Sequence, residues 1–531
     1  MKKTSSKAIV GIAMVASLTW GPPALGQGAA EQELGAVHFV TSCNEPAQQH
    51  FDRAMRYQHS FWYRKSREAF EQVLQADPQC AIAHWGIALS LLFNPHIPPP
   101  KDNLALGLAA LQKGAALPAP TPRERDYIEA LLAFYADHDT IAHGSRVQRY
   151  LGAMAALAQR YPGDDEAQIG YAITLNVAAS PNDKTYANQL KGAAILEPIF
   201  TRQPRHPGVA HYLIHLYDYP PIAARGLDAA RRYAEIAPAA PHAQHMPSHI
   251  FTRVGYWKES IAGNIASARA AKAGNESHDQ LHAMDYLVYA HLQLAQDSEA
   301  RTVVHEMSGV KGYNPNIRGG PYAVAASRAR YMVERSDWAG AAGLRPQESR
   351  FAYVDAITRF ARALGAARSG NPAAARADIA KLAELRDKLR QANDSYWTEQ
   401  VDIQWQIASA WVLEAEHKPD EALSAMSAAA DAEDKTEKSI VTPGPLAPAR
   451  ELYGAMLLAR GRAREAFATF EAALAKEPNR YNGLAGAARA AEALGDTAKA
   501  RTYYERLLTL ASGSNASRPE LATARRFLAG H

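Results

Sequence analysis

The chain has 531 residues, 47% of them apolar and 21% charged, with a formal net charge of +4. That is ample for a large core and too long for one compact globule. Charge is nearly balanced and no long run of one sign occurs, which excludes a basic nucleic-acid binder.

Taken from the start, Lys2, Lys3 and Lys7 precede an apolar stretch from Ala8 to Trp20 that is too short to cross a bilayer. Gly21-Pro22-Pro23 and the small-residue site Ala24-Leu25-Gly26 follow. This pattern reads as a secretory signal peptide over residues 1–26, so a periplasmic or secreted protein is expected. No later apolar run reaches membrane-spanning length, so no membrane span is expected.

From 36 to 434 apolar residues recur at helical spacing, and strand-like alternation is absent. A repeat starting at Ala47 puts Ala54, Phe70 and Asp77-Pro78 at its positions 8, 24 and 31–32. "NPHIPPP" (94–100) and "LPAPTP" (117–122) read as helix-breaking loops, and "KTEKSIVTPGPLAP" (435–448) interrupts the array again. Beyond it the period is plain. Gly454/Ala488, Gly461/Gly495, Ala466/Ala500 and Phe470/Tyr504 are each offset by 34 residues. That is the tetratricopeptide (TPR) period, in which small residues let paired helices approach and an aromatic fills the gap to the next hairpin. The expectation is an all-α protein, an α-solenoid of TPR-like helical hairpins. Residues 36–434 form an irregular array with a His-rich concave groove, and 447–531 form two regular repeats plus a C-terminal capping helix.

The only two cysteines are Cys43 and Cys80. Cys80 closes the first repeat and Cys43 lies just before it. A helical hairpin returns to its starting end, so a disulfide is expected; the alternative is a thiol–imidazole metal site with His38 or His84.

The register also says where the histidines point. In a TPR, positions 2, 5, 9, 12 and 13 of the first helix face the concave groove. With Pro238 at position 32, His242, His245 and His249 of "PHAQHMPSHIF" fall at 2, 5 and 9, and Arg253 at 13. One repeat earlier, His211 and His215 take 5 and 9, with Asp218 at 12. One repeat later, His282, Asp285 and Tyr289 take 2, 5 and 9. His291 falls at a packing position and is set aside. Pro247 conflicts with a continuous helix. Either it kinks the helix, or the helix begins there and His242 and His245 lie on a preceding loop.

Imidazoles suit Zn²⁺, Cu²⁺, Ni²⁺ or Fe²⁺. The seven residues His211, His215, His242, His245, His249, His282 and Asp285 are expected to converge, three or four of them as ligands of a divalent transition metal (Zn, Cu or Fe). Tyr212, Asp218, Arg253 and Tyr289 would back them or touch a substrate. No nucleophile motif or phosphate-binding glycine loop is present. The readings are therefore an exported scaffold that binds a protein or peptide partner and a metal, a metal-dependent enzyme using the same groove, or a metal-free protein–protein adaptor.

The strings "VHFVTSCN", "DPQCAIAHWGIALSLLFNP", "HPGVAHYLIHLYD", "APHAQHMPSHIFTRVGYW" and "HAMDYLVYAHLQL" are not generic repeat consensus. Over most of residues 36 to 300 the chain resembles a family of exported bacterial TPR-repeat proteins. The resemblance implies the fold and export. It implies no reaction and supplies no catalytic residue.

Overall fold

The computed structural model describes residues 33–118 and 121–530, and the expected signal peptide lies outside them. The described residues form α-helices joined by short turns, without a strand. Consecutive helices pack as antiparallel neighbours along the chain. The chain is an α-solenoid of helical hairpins.

The small-to-large rule explains the packing. Phe70, on the helix Tyr63–Ala76, occupies the space that a Cβ at Gly86 would need. Phe470, on the helix Ala463–Lys476, does the same to Gly486. A methyl at either glycine would have to push a buried ring aside, so the helices could not approach as closely. The first helix, Glu45–His59, starts where the Asn44 side chain accepts from the Ala47 amide at 3.0 Å. Cys43 and Cys80 are bonded, with Cα atoms 5.2 Å apart, and tie the end of the first hairpin to its beginning. That pairing leaves no thiolate for a site with His38 or His84; His38 instead pairs with Asp52 at 2.7 Å.

The expected groove is not open. Near the N-terminus the extended segment before Asn44 returns to the middle of the chain, where Ala36 N donates to Arg205 O at 2.9 Å. The first hairpin packs on the helix Pro207–Tyr217. From the other end, Trp257 Nε1 donates to Asn479 O at 2.7 Å. The interrupting segment 435–448 turns inward, burying Lys438 and Thr442. The superhelix therefore closes on itself, and side chains that the register assigned to a solvent-facing stripe are enclosed.

Arg480 clamps this closure. Its guanidinium, 1% exposed, meets Glu451 at 2.7 Å, Glu334 at 2.6 Å and the Tyr289 hydroxyl at 2.5 Å. The contacts join the last repeats to the middle of the array. Arg480→Met leaves two buried carboxyls without their cation. It should cost about 3–5 kcal/mol in urea unfolding, and adding Glu334→Gln and Glu451→Gln should recover part of that loss. An unchanged midpoint in the single variant would contradict the clamp.

Candidate metal centre

Four helices build the site: Pro207–Tyr217, the short Pro241–His245, Pro247–Val254 and Ser277–Gln293. Of the two readings left open at Pro247, the second holds in modified form. Proline has no N–H to give, so a new helix starts at Pro247. His242 and His245 sit on their own short helix rather than on a loop. The break is stitched by Ser248 Oγ, which donates to the His245 carbonyl at 2.7 Å.

The histidines gather into two triads, His211/His215/His242 and His245/His249/His282, in each of which one ligand atom per residue lies within 4.8 Å of the others. The triads adjoin, with His215 and His249 ring centres 6.2 Å apart and those of His242 and His245 6.1 Å apart. The expectation is one centre with three or four ligands; the structure brings the six histidines together as two groups of three. Asp285 belongs to neither. Its Oδ1 accepts from Ser327 at 3.1 Å and faces Arg330 at 3.9 Å, and burial pushes its carboxyl up to about 6. Tyr289 also points elsewhere, into the Arg480 clamp.

The outer ring nitrogens decide the tautomers. His211 Nδ1 lies 2.7 Å from the His59 carbonyl, which can only accept. His245 Nδ1 lies 2.7 Å from Asn264 Oδ1, and the Asn264 amide nitrogen donates to Ser260 O, so that oxygen too is an acceptor. His249 Nδ1 lies 2.8 Å from the Asp218 carboxylate. In each neutral ring the proton is therefore on Nδ1 and Nε2 carries a lone pair; that of His249 also has the Tyr286 hydroxyl at 3.3 Å, whose one proton can go to it or to the Thr442 carbonyl, also at 3.3 Å. Yet His245 Nε2 and His249 Nε2 face each other at 3.1 Å. In the first triad, His215 Nε2 and His242 Nε2 both lie 3.1 Å from His211 Nε2. Two donors at about 2.1 Å from one ion, at a tetrahedral angle, lie roughly 3.4 Å apart. Both triads have spacings that could share an ion, and the His245/His249 pair also has facing lone pairs; in the first triad no outer partner fixes the proton of His215 or His242, and either Nε2–H can donate to His211 Nε2.

The electrostatics agree. Burial, reinforced by the neighbouring rings, holds His211, His215, His242, His245 and His282 well below the usual imidazole range, as neutral ligands must be. Burial and Lys438 lower His249 as well. Asp218 receives His249, Arg253 at 2.8 Å and Lys438 at 2.9 Å. Burial alone would raise its carboxyl, but Lys438, Arg253 and His249 hold it well below the usual range. Phe61 covers the first triad, 4.3 Å from the His211 ring and 5.2 Å from that of His242. Tyr212 bonds His59 Nδ1 at 3.1 Å, which places it behind the first triad.

Register reasoning missed several of these groups. Lys438 sits in the segment read only as a break. His96, whose ring lies 4.8 Å from that of His215 and whose Nε2 has no partner, sits in a loop read only as a breaker. Asn264 lies on the partner helix of its hairpin, where register assigns packing. A further cluster, His59/Glu166/His206, has both Glu166 oxygens engaged, at 3.0 Å by His59 and 2.9 Å by His206. It satisfies itself by hydrogen bonding and has no facing lone pairs.

No family model and no curated protein matches the chain. Among solved structures it is 12% identical to the Naa15/Naa10 complex bound to HypK-THB, covering 88% of this chain and 70% of that one with a TM-score of 0.24. It is 12% identical to the TPR domain of P58(IPK), covering 77% and 99%, with a TM-score of 0.22. It is 12% identical to yeast Tom70, covering 91% and 96%, with a TM-score of 0.29. At these scores the fold and the triads stand on their own geometry.

Neutral buried imidazoles have a linkage consequence. Unfolded, they take up protons below about pH 6.5; folded, they resist. The unfolded state then binds more protons, so their contribution is lost as pH falls from about 6.5. Raised carboxyls such as Asp285 act in the opposite sense, so the test is differential. Between pH 7 and 5, metal-free wild type should lose more stability than His242→Asn, by up to about 1.4 kcal/mol per pH unit. Equal slopes in denaturant titrations would contradict buried neutral rings.

Proposed function

We propose that the protein is an exported helical-repeat scaffold that holds two transition-metal ions side by side, one in each histidine triad. The observation that carries this reading is the pair of Nε2 lone pairs of His245 and His249, 3.1 Å apart, with both outer nitrogens committed as donors. A cation between them turns a repulsion into two bonds. Export is supported by the basic and apolar start of the sequence and by the single disulfide. The helical-repeat body would offer its outer surface, not the enclosed centre, to a protein or peptide partner.

Ligand chemistry narrows the metal. Neither triad contains a carboxylate or thiolate. The two-histidine, one-carboxylate set of non-haem iron is therefore not met, and copper and zinc remain. Two divalent ions in neutral ligand sets would place four positive charges in a buried space, beside Arg253 and Lys438. Two cuprous ions place only two there, so copper is the better fit.

Elemental analysis of the natively exported protein should find two copper atoms per chain. His242 and His282, the least buried triad members, are the gentlest to replace. His242→Ala and His282→Ala should each lose one ion with helical circular dichroism unchanged, whereas Asp285→Asn should keep both. A metal-free wild type, or two ions retained in both alanine variants, would refute the reading.

A further inference from the structure

Phe61 is a wall shared by the first triad and a pocket of about 100 Å³. The pocket lies among the N-terminal hairpins. Its lining is dominated by rings, among them Trp85, Tyr127, Phe134 and Tyr150. No lysine or arginine is among the lining residues, and the only carboxylate is Glu166, whose two oxygens are taken by His59 and His206. The lining therefore presents no unpaired charge: Glu166 is held ionised despite its burial by His59 and His206, which occupy both its oxygens. One lining group has an unused polar atom: His143 Nδ1 is buried without a hydrogen-bond partner. Burial pushes that imidazole down to about 4, so the ring is uncharged and can exchange one neutral hydrogen bond.

Two residues of the same wall also have a strained backbone. Phe61 and Phe93, both lining the pocket, have φ of +53° and +55°. Elsewhere this left-handed position is filled by Asn275, Asn393, Asn479 or glycine, and also by Tyr186, Ala295, Ser336 and His417. A bulky aromatic there is strained, at a cost of order 1–3 kcal/mol, and such strain clusters at binding sites. A ring-lined cavity with a buried polar group among its lining residues has the general form of a small-molecule site.

We propose that this pocket binds an uncharged aromatic molecule carrying a hydroxyl, of the phenol class, with its hydroxyl on His143 and its ring stacked among the pocket aromatics, one side chain away from the first triad. The pocket itself is independent of the metal; only the placement beside an ion rests on the two-metal reading.

The probe is 2-naphthol, titrated into metal-free full-length protein and followed by tryptophan fluorescence. Saturable binding is expected. Gly170→Leu tests the location, because Gly170 lines the pocket and a Cβ there meets only the terminal methyl of Met154. That variant should weaken binding about tenfold or more by filling the space. Naphthalene-2-sulfonate, the same ring with a charge, should also bind at least about tenfold more weakly. No binding to wild type, equal binding to Gly170→Leu, or equally tight sulfonate binding would each overturn the proposal. The second arm uses cobalt(II)-loaded protein, whose loading of the first triad is confirmed by its loss in His242→Ala. Bound naphthol protons should be broadened relative to the metal-free complex. Binding without broadening in loaded protein overturns the adjacency. Failure to load cobalt is read separately, as failure of the metal reading, and leaves the naphthol titration standing.

Discussion

Two imidazole lone pairs facing each other at 3.1 Å inside a protein repel, and the neutral donor beside them, the Tyr286 hydroxyl 3.3 Å from His249 Nε2, can satisfy only one of the two. Neither His245 nor His249 has a proton to offer the other, because each has committed its N–H outward, to Asn264 and to Asp218. Protonating either ring would supply a hydrogen bond, but burial resists the charge. A metal ion answers both demands, since it accepts lone pairs and requires neutral rings. The surrounding structure can be understood as what holds the rings in that state: outer acceptors that fix the tautomers, a helix break at Pro247 that turns His245 and His249 toward one point, and a chain that folds back over the site.

The folding back links two features that look unrelated in the sequence. Segment 435–448 interrupts the repeats, and it brings Lys438 to Asp218. That carboxylate already takes Arg253 and His249. A buried carboxylate with one cation would be balanced, and with His249 neutral this one has two. The excess positive charge disfavours protonation of the neighbouring imidazoles, as the lowering of His249 by Lys438 reflects. Lys438 is itself pushed down to about 8 by burial, so it remains largely charged at neutral pH and exerts that effect there. The break in the array is thus part of the electrostatic design of the site.

The helical period made much of this legible and its limits are equally physical. The 34-residue offset at Gly454/Ala488 and Phe470/Tyr504 reports how hairpins must pack, so the fold followed from it. Register placed five of the histidines and His282 on one face, and the structure brings these six side chains together, because positions on successive first helices share a face. It misplaced Asp285 and Tyr289, which share that face but lie near Arg330 and Arg480, cations contributed from elsewhere in the fold. Period says which way a residue points, not what arrives opposite it. For the same reason Lys438, His96 and Phe61 were invisible: they sit in breaks and turns, where period has nothing to say. Pro247 was the one local signal of irregularity within the site, and it marked the junction between the two halves of the second triad's helix pair.

Enclosure changes what the triads can do. On an open solenoid groove, six histidines would titrate near their ordinary range, and a bound ion would be exposed to bulk water. Here the triad rings are held neutral by the same burial that limits access, so on the proposed reading readiness to bind metal and selectivity of access would have one origin. Access then falls to the few side chains at the boundary of the chamber. On the first triad that boundary includes Phe61, held in a backbone conformation that a bulky residue rarely adopts. The helical repeats supply a rigid frame that can maintain such strain, because each hairpin is fixed by its neighbours on both sides. A repeat architecture whose usual use is an open concave surface becomes, by closing at Arg480 and Trp257 and filling its own groove with an insertion, a container for a buried polar cluster that an isolated hairpin could not sustain.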